Sequence, residues 1–123
     1  MNKTVLTIEE PGDISRMLFD ALTDAGFHVV HACDSERGLN LLQADATAVD
    51  VIITDIDQPR LGGVEFIETV RRNGRHAQTP ILVLADDHDA LRKANARRAG
   101  ASGWMVKPLN LVKLVDAVRR VAA

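Results

Sequence analysis

The chain has 123 residues, 46% of them hydrophobic and 26% charged, which is the balance of one ordinary globular domain spanning residues 1–123. A net charge of -2 and a pI near 6.0 give no general attraction to nucleic acid or to an anionic membrane, so direct binding to either is not expected. The single cysteine, Cys33, excludes an internal disulfide and is expected as a buried thiol; without an apolar run of ~18 residues or a signal-like N-terminus, the expected location is cytoplasmic.

Thr4–Ile8 reads as a short β-type run, and it ends in Glu9-Glu10. After Pro11-Gly12, Asp13 is placed to cap a helix whose Ile14, Met17, Leu18, Ala21, Leu22 and Ala25 follow helical spacing until Gly26 stops it. A second strand is expected over residues 27–32, then a helix capped by Asp34 that carries Leu39, Leu41 and Leu42 toward Ala44. His28 and His31 lie three apart on that strand, hence on opposite faces, which argues against a shared metal.

Residues 50–55 form the third strand, closed by Asp55, and Gln58-Pro59-Arg60-Leu61-Gly62-Gly63 is a loop. A helix over residues 64–73 turns Val64, Ile67 and Val70 inward and Arg71 and Arg72 outward, and Gly74 ends it. Pro80 opens the fourth strand, Ile81–Ala85, and the polar loop Asp86-Asp87-His88-Asp89 leads into a helix containing Leu91, Ala94 and Ala99, capped by Gly100. Residues 103–107 are the fifth strand, and Asn110 caps a last helix with the stripe Leu111, Leu114, Val115, Val118 and Val121.

Five strands alternating with five helices imply an α/β doubly wound parallel sheet, and right-handed crossovers leave every strand's carboxyl end on one edge. Glu9, Glu10, Asp55, Ala85 and Lys107 then share that edge. A lone Asp at a strand end more often starts a turn, but two glutamates and a lysine beside it change the reading. Clustered carboxylates repel one another unless a cation neutralises them, and Mg2+ (or Mn2+) is the natural remedy because it takes a few carboxylates and leaves room for phosphate oxygens. Asp55 is the candidate nucleophile, since carboxylates form aspartyl phosphates and such transfer needs in-line positioning plus cations on the phosphoryl oxygens.

Across the whole chain these residues resemble the receiver domains of bacterial two-component response regulators, the stand-alone chemotaxis type in particular. The motifs are Ile8-Glu9-Glu10, Thr54-Asp55-Ile56-Asp57-Gln58-Pro59 with Gly62-Gly63, and Gly100 to Pro108 around Trp104 and Lys107. The resemblance implies a flavodoxin-like five-stranded parallel sheet in the order 2-1-3-4-5. It implies Asp55 as phosphoacceptor, Glu9 and Glu10 as metal-binding acids, and Asp57 as a metal ligand through its backbone carbonyl. Lys107 becomes the cation on the phosphoryl group, aimed by a cis peptide before Pro108, and Trp104 takes the aromatic switch position. A histidine kinase or phosphotransfer protein would be the donor and a downstream protein the target, with the chain itself a monomer or weak dimer and not a turnover enzyme.

One position departs from that pattern. The strand-four Ser or Thr that grips the phosphoryl oxygen in the family is Ala85 here, and the small residue after it is Asp86. The alternative is therefore a degenerate receiver that acts as a phosphorylation-independent interaction module. A flavin-binding protein of similar topology is disfavoured, because Glu9-Glu10-Pro11 would repel a phosphate.

Overall fold

Val51–Asp55 is buried along its whole length, as the central strand of a parallel sheet covered on both faces must be. The computed structural model describes residues 2–44 and 48–123. In chain order it contains β1 (Thr4–Ile8), α1 (Asp13–Asp24), β2 (His28–Ala32), α2 (Ser35–Gln43), β3 (Val51–Asp55), α3 (Gly63–Arg72), β4 (Ile81–Ala85), α4 (Ala90–Ala99), β5 (Gly103–Val106) and α5 (Leu111–Ala122). All pairings are parallel and the strand order is β2-β1-β3-β4-β5, as expected.

The period-two alternation of the strands divides the core in two. Val5, Val51, Ile53, Leu82 and Leu84 face α1 and α5 through Leu18, Leu22, Leu114 and Val118. Leu6, Ile8, Ile52, Ile81 and Val83 face the other helices through Leu42, Phe66, Ile67, Val70 and Ala96. Each fully buried Leu, Ile or Phe contributes about 1.5–3 kcal/mol relative to exposure, so the sheet is held mainly by these two layers. Helices α1 and α4 end in glycines at positive φ, Gly26 at 96° and Gly100 at 122°. Both endings carry the paired backbone bonds of a Schellman motif, Phe27 N to Leu22 O with Gly26 N to Thr23 O, and Ala101 N to Ala96 O with Gly100 N to Arg97 O.

Several expectations shift on inspection. Gly12, not Asp13, caps α1, because Ser15 Oγ reaches back to the Gly12 N–H at 3.0 Å and leaves Asp13 in the first turn. Met17 is 44% exposed, at the edge of the apolar stripe. Strand β2 begins at His28, and Asp50 stands just before β3, where its carboxylate accepts a hydrogen bond from the Thr4 N–H at 2.8 Å. Helix α3 starts one residue early, at Gly63, and ends at Arg72 with Asn73 as its cap, so Gly74 plays no capping part. Strand β5 stops at Val106, and Cys33 is half-buried. His28 and His31 are both exposed, and the Nε2 of His31 lies 2.9 Å from the Glu9 carbonyl.

Arg71 is the largest correction. It does not face solvent: its guanidinium donates to the Gly100 carbonyl at 2.7 and 3.1 Å and to the Thr79 and His76 carbonyls at 2.6 and 3.2 Å. One side chain on α3 thus satisfies three loop carbonyls, including the one that ends α4. We predict that Arg71→Ala lowers unfolding stability by about 2–3 kcal/mol, because charged hydrogen bonds are lost and half-buried acceptors are left unpaired. Arg72→Ala, one residue along on the exposed side, should change it by less than about 0.5 kcal/mol. Urea denaturation of both variants is the check.

Candidate functional site

The ends of β1, β3 and β5 meet at the carboxyl edge. Asp55, the last residue of β3, is 7% exposed, and its two carboxylate oxygens are engaged differently. Oδ1 accepts the Asp57 N–H at 2.7 Å, and Oδ2 contacts Lys107 Nζ directly. The same ammonium lies 3.4 Å from Glu9 Oε2, an oxygen that is buried and has no hydrogen-bond partner. Burial raises the Glu9 carboxyl above the ordinary carboxylate range, the Asp55 charge raises it further, and Lys107 opposes both. Burial alone would depress the Lys107 ammonium, but the hydrogen bond and charge of Asp55, followed by the charge of Glu9, outweigh it and hold the group above its usual value.

Backbone bonds fix these side chains in place. The Lys107 N–H donates to the Ala85 carbonyl at 2.8 Å and the Ile56 N–H to the Leu84 carbonyl at 2.9 Å, which ties β5 and the end of β3 to β4. The Lys107-Pro108 peptide is cis. Gln58 reaches from the loop after β3 toward the Asp55 carbonyl at 3.3 Å and the Ile8 carbonyl at 3.4 Å. Gly63 opens α3 with its N–H on the Ile56 carbonyl, and a Cβ built there would sit 2.7 Å from that same oxygen. Gly63 therefore serves close packing of α3 on the strand end, which no side chain could share, whereas a Cβ at Gly62 would meet only Glu65 Oε1 at 3.8 Å.

Glu10 and the Asp57 side chain are turned outward. Glu10 is exposed, and Asp57 gives its carboxylate to Arg92 of α4, Nη2 to Oδ1 at 2.5 Å. Among the described residues, no three or more His, Cys, Asp or Glu side chains gather as a metal-binding cluster. The donor set still fits a hard cation of the magnesium kind, which accepts one or two carboxylates and keeps its waters: Glu9 and Asp55 line the edge, and Glu9 Oε2 is an orphaned buried acceptor.

Ala85 is buried at the end of β4 and presents only a methyl group, while Asp86 is exposed beside it. Trp104 is half-buried on β5, packs on the α3 side of the core, and donates its indole N–H to the Asp87 carbonyl at 3.1 Å. Of the residues that the sequence sends to one edge, Glu9, Asp55, Ala85 and Lys107 lie there, while Trp104 stands further back on β5, level with Val83. The sequence reading missed Arg92, whose signal lay in the acids at Asp57 and Asp87, and it expected Glu10 nearer the centre.

Known proteins agree with this geometry. A family model described as the response regulator receiver domain matches residues 5–119. The chain is 30% identical over 114 residues to the uncharacterized transcriptional regulatory protein YcbL of Bacillus subtilis, covering 93% of this chain and 48% of that protein. It is 27% identical to the transcriptional regulatory protein CpxR of Escherichia coli over 98% of this chain and 49% of that one, so it spans about half the length of these curated relatives. The solved structure of the chemotaxis response regulator CheY4 of Vibrio cholerae superposes with a TM-score of 0.91 at 34% identity, covering 98% of this chain and 99% of the other. With a receiver-domain family model matched over residues 5–119 and a parallel sheet in the order β2-β1-β3-β4-β5, the chain belongs to the family of response regulator receiver domains.

Proposed function

We propose that Asp55 accepts a phosphoryl group from a phosphohistidine on a kinase or phosphotransfer partner, in the cytoplasm, and that the modified domain then binds a downstream protein. The contact of Lys107 with a buried Asp55 carboxylate, with Glu9 alongside, carries this reading. An Asp55 carboxylate oxygen attacks phosphorus in line; the P–O bond forms as the P–N bond breaks, and the electron pair stays on the departing imidazole nitrogen. The Asp57 N–H holds one oxygen of the nucleophile and so orients the other, while Lys107 offsets charge on the phosphoryl oxygens. Glu9, Asp55 and the Asp57 carbonyl would hold the divalent ion, Mg2+ or Mn2+, which supplies further charge neutralisation when bound, and Glu10, exposed in this structure, would turn inward to join them. The group is accepted stoichiometrically, so the domain promotes its own modification and is not a turnover enzyme. A second reading, a phosphorylation-independent interaction module, is favoured by the buried methyl of Ala85 where a hydroxyl would grip the phosphoryl oxygen.

Incubation with acetyl phosphate and magnesium should add one phosphoryl group per chain by intact mass. Asp55→Asn should abolish the adduct and omission of divalent metal should strongly reduce it. No adduct under any of these conditions selects the interaction module, and an adduct that persists in Asp55→Asn moves the nucleophile elsewhere.

Magnesium should also stabilise the fold, because it binds the native edge and not the unfolded chain. At ~100 times its dissociation constant the gain is about 2.7 kcal/mol. Thermal melts with and without the ion should show a rise in Tm that is much smaller in Glu9→Gln.

A pH dependence follows from the Glu9 shift. Its folded pKa lies above the ordinary 4.5, so the folded state binds more protons there than the unfolded state does. Stability contributed at this site therefore falls as pH rises from 4.5 toward neutrality. In metal-free buffer, Glu9→Gln should be more stable than the parent at pH ~7 and lose that advantage on acidification. Denaturation midpoints across this range are the check, and a parent more stable than Glu9→Gln at neutral pH would contradict the sign.

A further inference from the structure

Arg92 makes two contacts that join separate segments. Its Nη2 donates to Asp57 Oδ1 at 2.5 Å and its Nη1 to Asp87 Oδ2 at 3.1 Å, so one guanidinium spans the loop after β3 and the loop after β4. Each end continues inward. On one side the Asp57 N–H rests on Asp55 Oδ1. On the other, the Asp87 carbonyl receives the Trp104 indole at 3.1 Å, and the Asp87 carboxylate accepts at 3.0 Å the N–H of Asp89, the residue that caps α4. A continuous path of hydrogen bonds thus runs from the Asp55 carboxylate through Asp57, Arg92 and Asp87 to Trp104.

The path runs through α4 and nowhere uses the side chain at the end of β4. That side chain, Ala85, can neither donate nor accept, and its neighbour Asp86 is exposed. The planar guanidinium meets the two acids with separate nitrogens, Nη2 for Asp57 and Nη1 for Asp87, so each segment has its own donor in a fixed relation to the other. At 34% side-chain exposure for Arg92 and 57% and 50% for its two partners, the pairs are solvent-screened and individually weak. Weak pairs can be redistributed when the charge on Asp55 changes, whereas a buried bridge would lock the two loops together.

We propose that Arg92 is the positioning residue that couples the charge state of Asp55 to Trp104 and the start of α4, in place of the hydroxyl absent from Ala85. The inference rests on the reading of Asp55 as the responsive carboxylate, and it names the route by which that site is regulated. Neutralising or modifying Asp55 changes what the Asp57 N–H binds, Asp57 shifts, and the guanidinium passes the shift to Asp87 and its indole partner.

The test is a double-mutant cycle read on the indole N–H resonance of Trp104, unambiguous because the chain has one tryptophan. Asp55→Asn should move that resonance in the parent background, and the movement should fall to less than about a third in the Arg92→Gln background. Arg97→Gln, which removes an exposed charge from the same helix, should leave the full response, separating the contact from a loss of net charge. An indole that follows Asp55→Asn as fully in Arg92→Gln as in the parent overturns the inference, and so does a parent indole indifferent to Asp55→Asn. Phosphoryl uptake from acetyl phosphate with magnesium, read by intact mass, should be equal in Arg92→Gln and parent. Absence of the adduct from both overturns the phosphoacceptor reading, while the cycle, which needs no phosphoryl group, still decides the part played by Arg92.

Discussion

A single ammonium holds two buried carboxylates at one edge of the sheet. Taking a carboxylate out of water costs several kcal/mol even after relaxation, and two side by side cost more because each opposes the ionisation of the other. Lys107 offsets this only by lying against both, 52 residues from Asp55 along the chain. That requirement constrains the fold more than any local preference does. The three strand ends must arrive on the same side, which the right-handed parallel crossovers ensure, and Lys107 must be held against β4, which the Ala85 carbonyl does. Apolar burial makes the sheet stable; the ion triad makes its carboxyl edge chemically distinct from the opposite one.

The compensation is incomplete, and the incompleteness is useful. Glu9 keeps one buried oxygen without a hydrogen-bond partner, so the site retains unsatisfied negative character that a cation or a rearranged ammonium can meet. An edge fully satisfied by its own side chains would have little reason to respond to a phosphoryl group. The same logic separates the two faces of the site: the inner pair is buried and strongly coupled, whereas the outer acids Asp57 and Asp87 are exposed and joined by a screened guanidinium.

Much of this was legible from residue pattern because strand ends are legible. Glu9, Asp55 and Lys107 each close an apolar run, and strict alternation of strand and helix sends all such closures to one edge. What escaped depends on packing between elements distant in sequence. Arg71 reads as half of a solvated pair, yet it follows Ile67 by four residues and so shares its inward side; that spacing was the available signal. No periodicity reveals that the Thr79 and Gly100 carbonyls converge there. Glu10 looked equivalent to Glu9, but successive residues leaving a strand diverge, and Glu9 alone turns inward. Asp13 lost the cap of α1 to Gly12 because Ser15, three residues on, bonds back to the Gly12 amide and carbonyl.

The close approach of Gly63 to Ile56 has a mechanical meaning. With no room even for a methyl group between them, the first turn of α3 is jammed against the residue that follows Asp55, and the two move as one piece. Helix α4 is seated differently: Ala96 is its one fully buried residue, and the loop feeding it, residues 86–89, is exposed throughout. Displacement at the acidic edge therefore meets a stiff wall on the α3 side and a compliant one on the α4 side. The direction in which this domain can yield is set less by the group that pushes than by a missing methyl on the opposite flank.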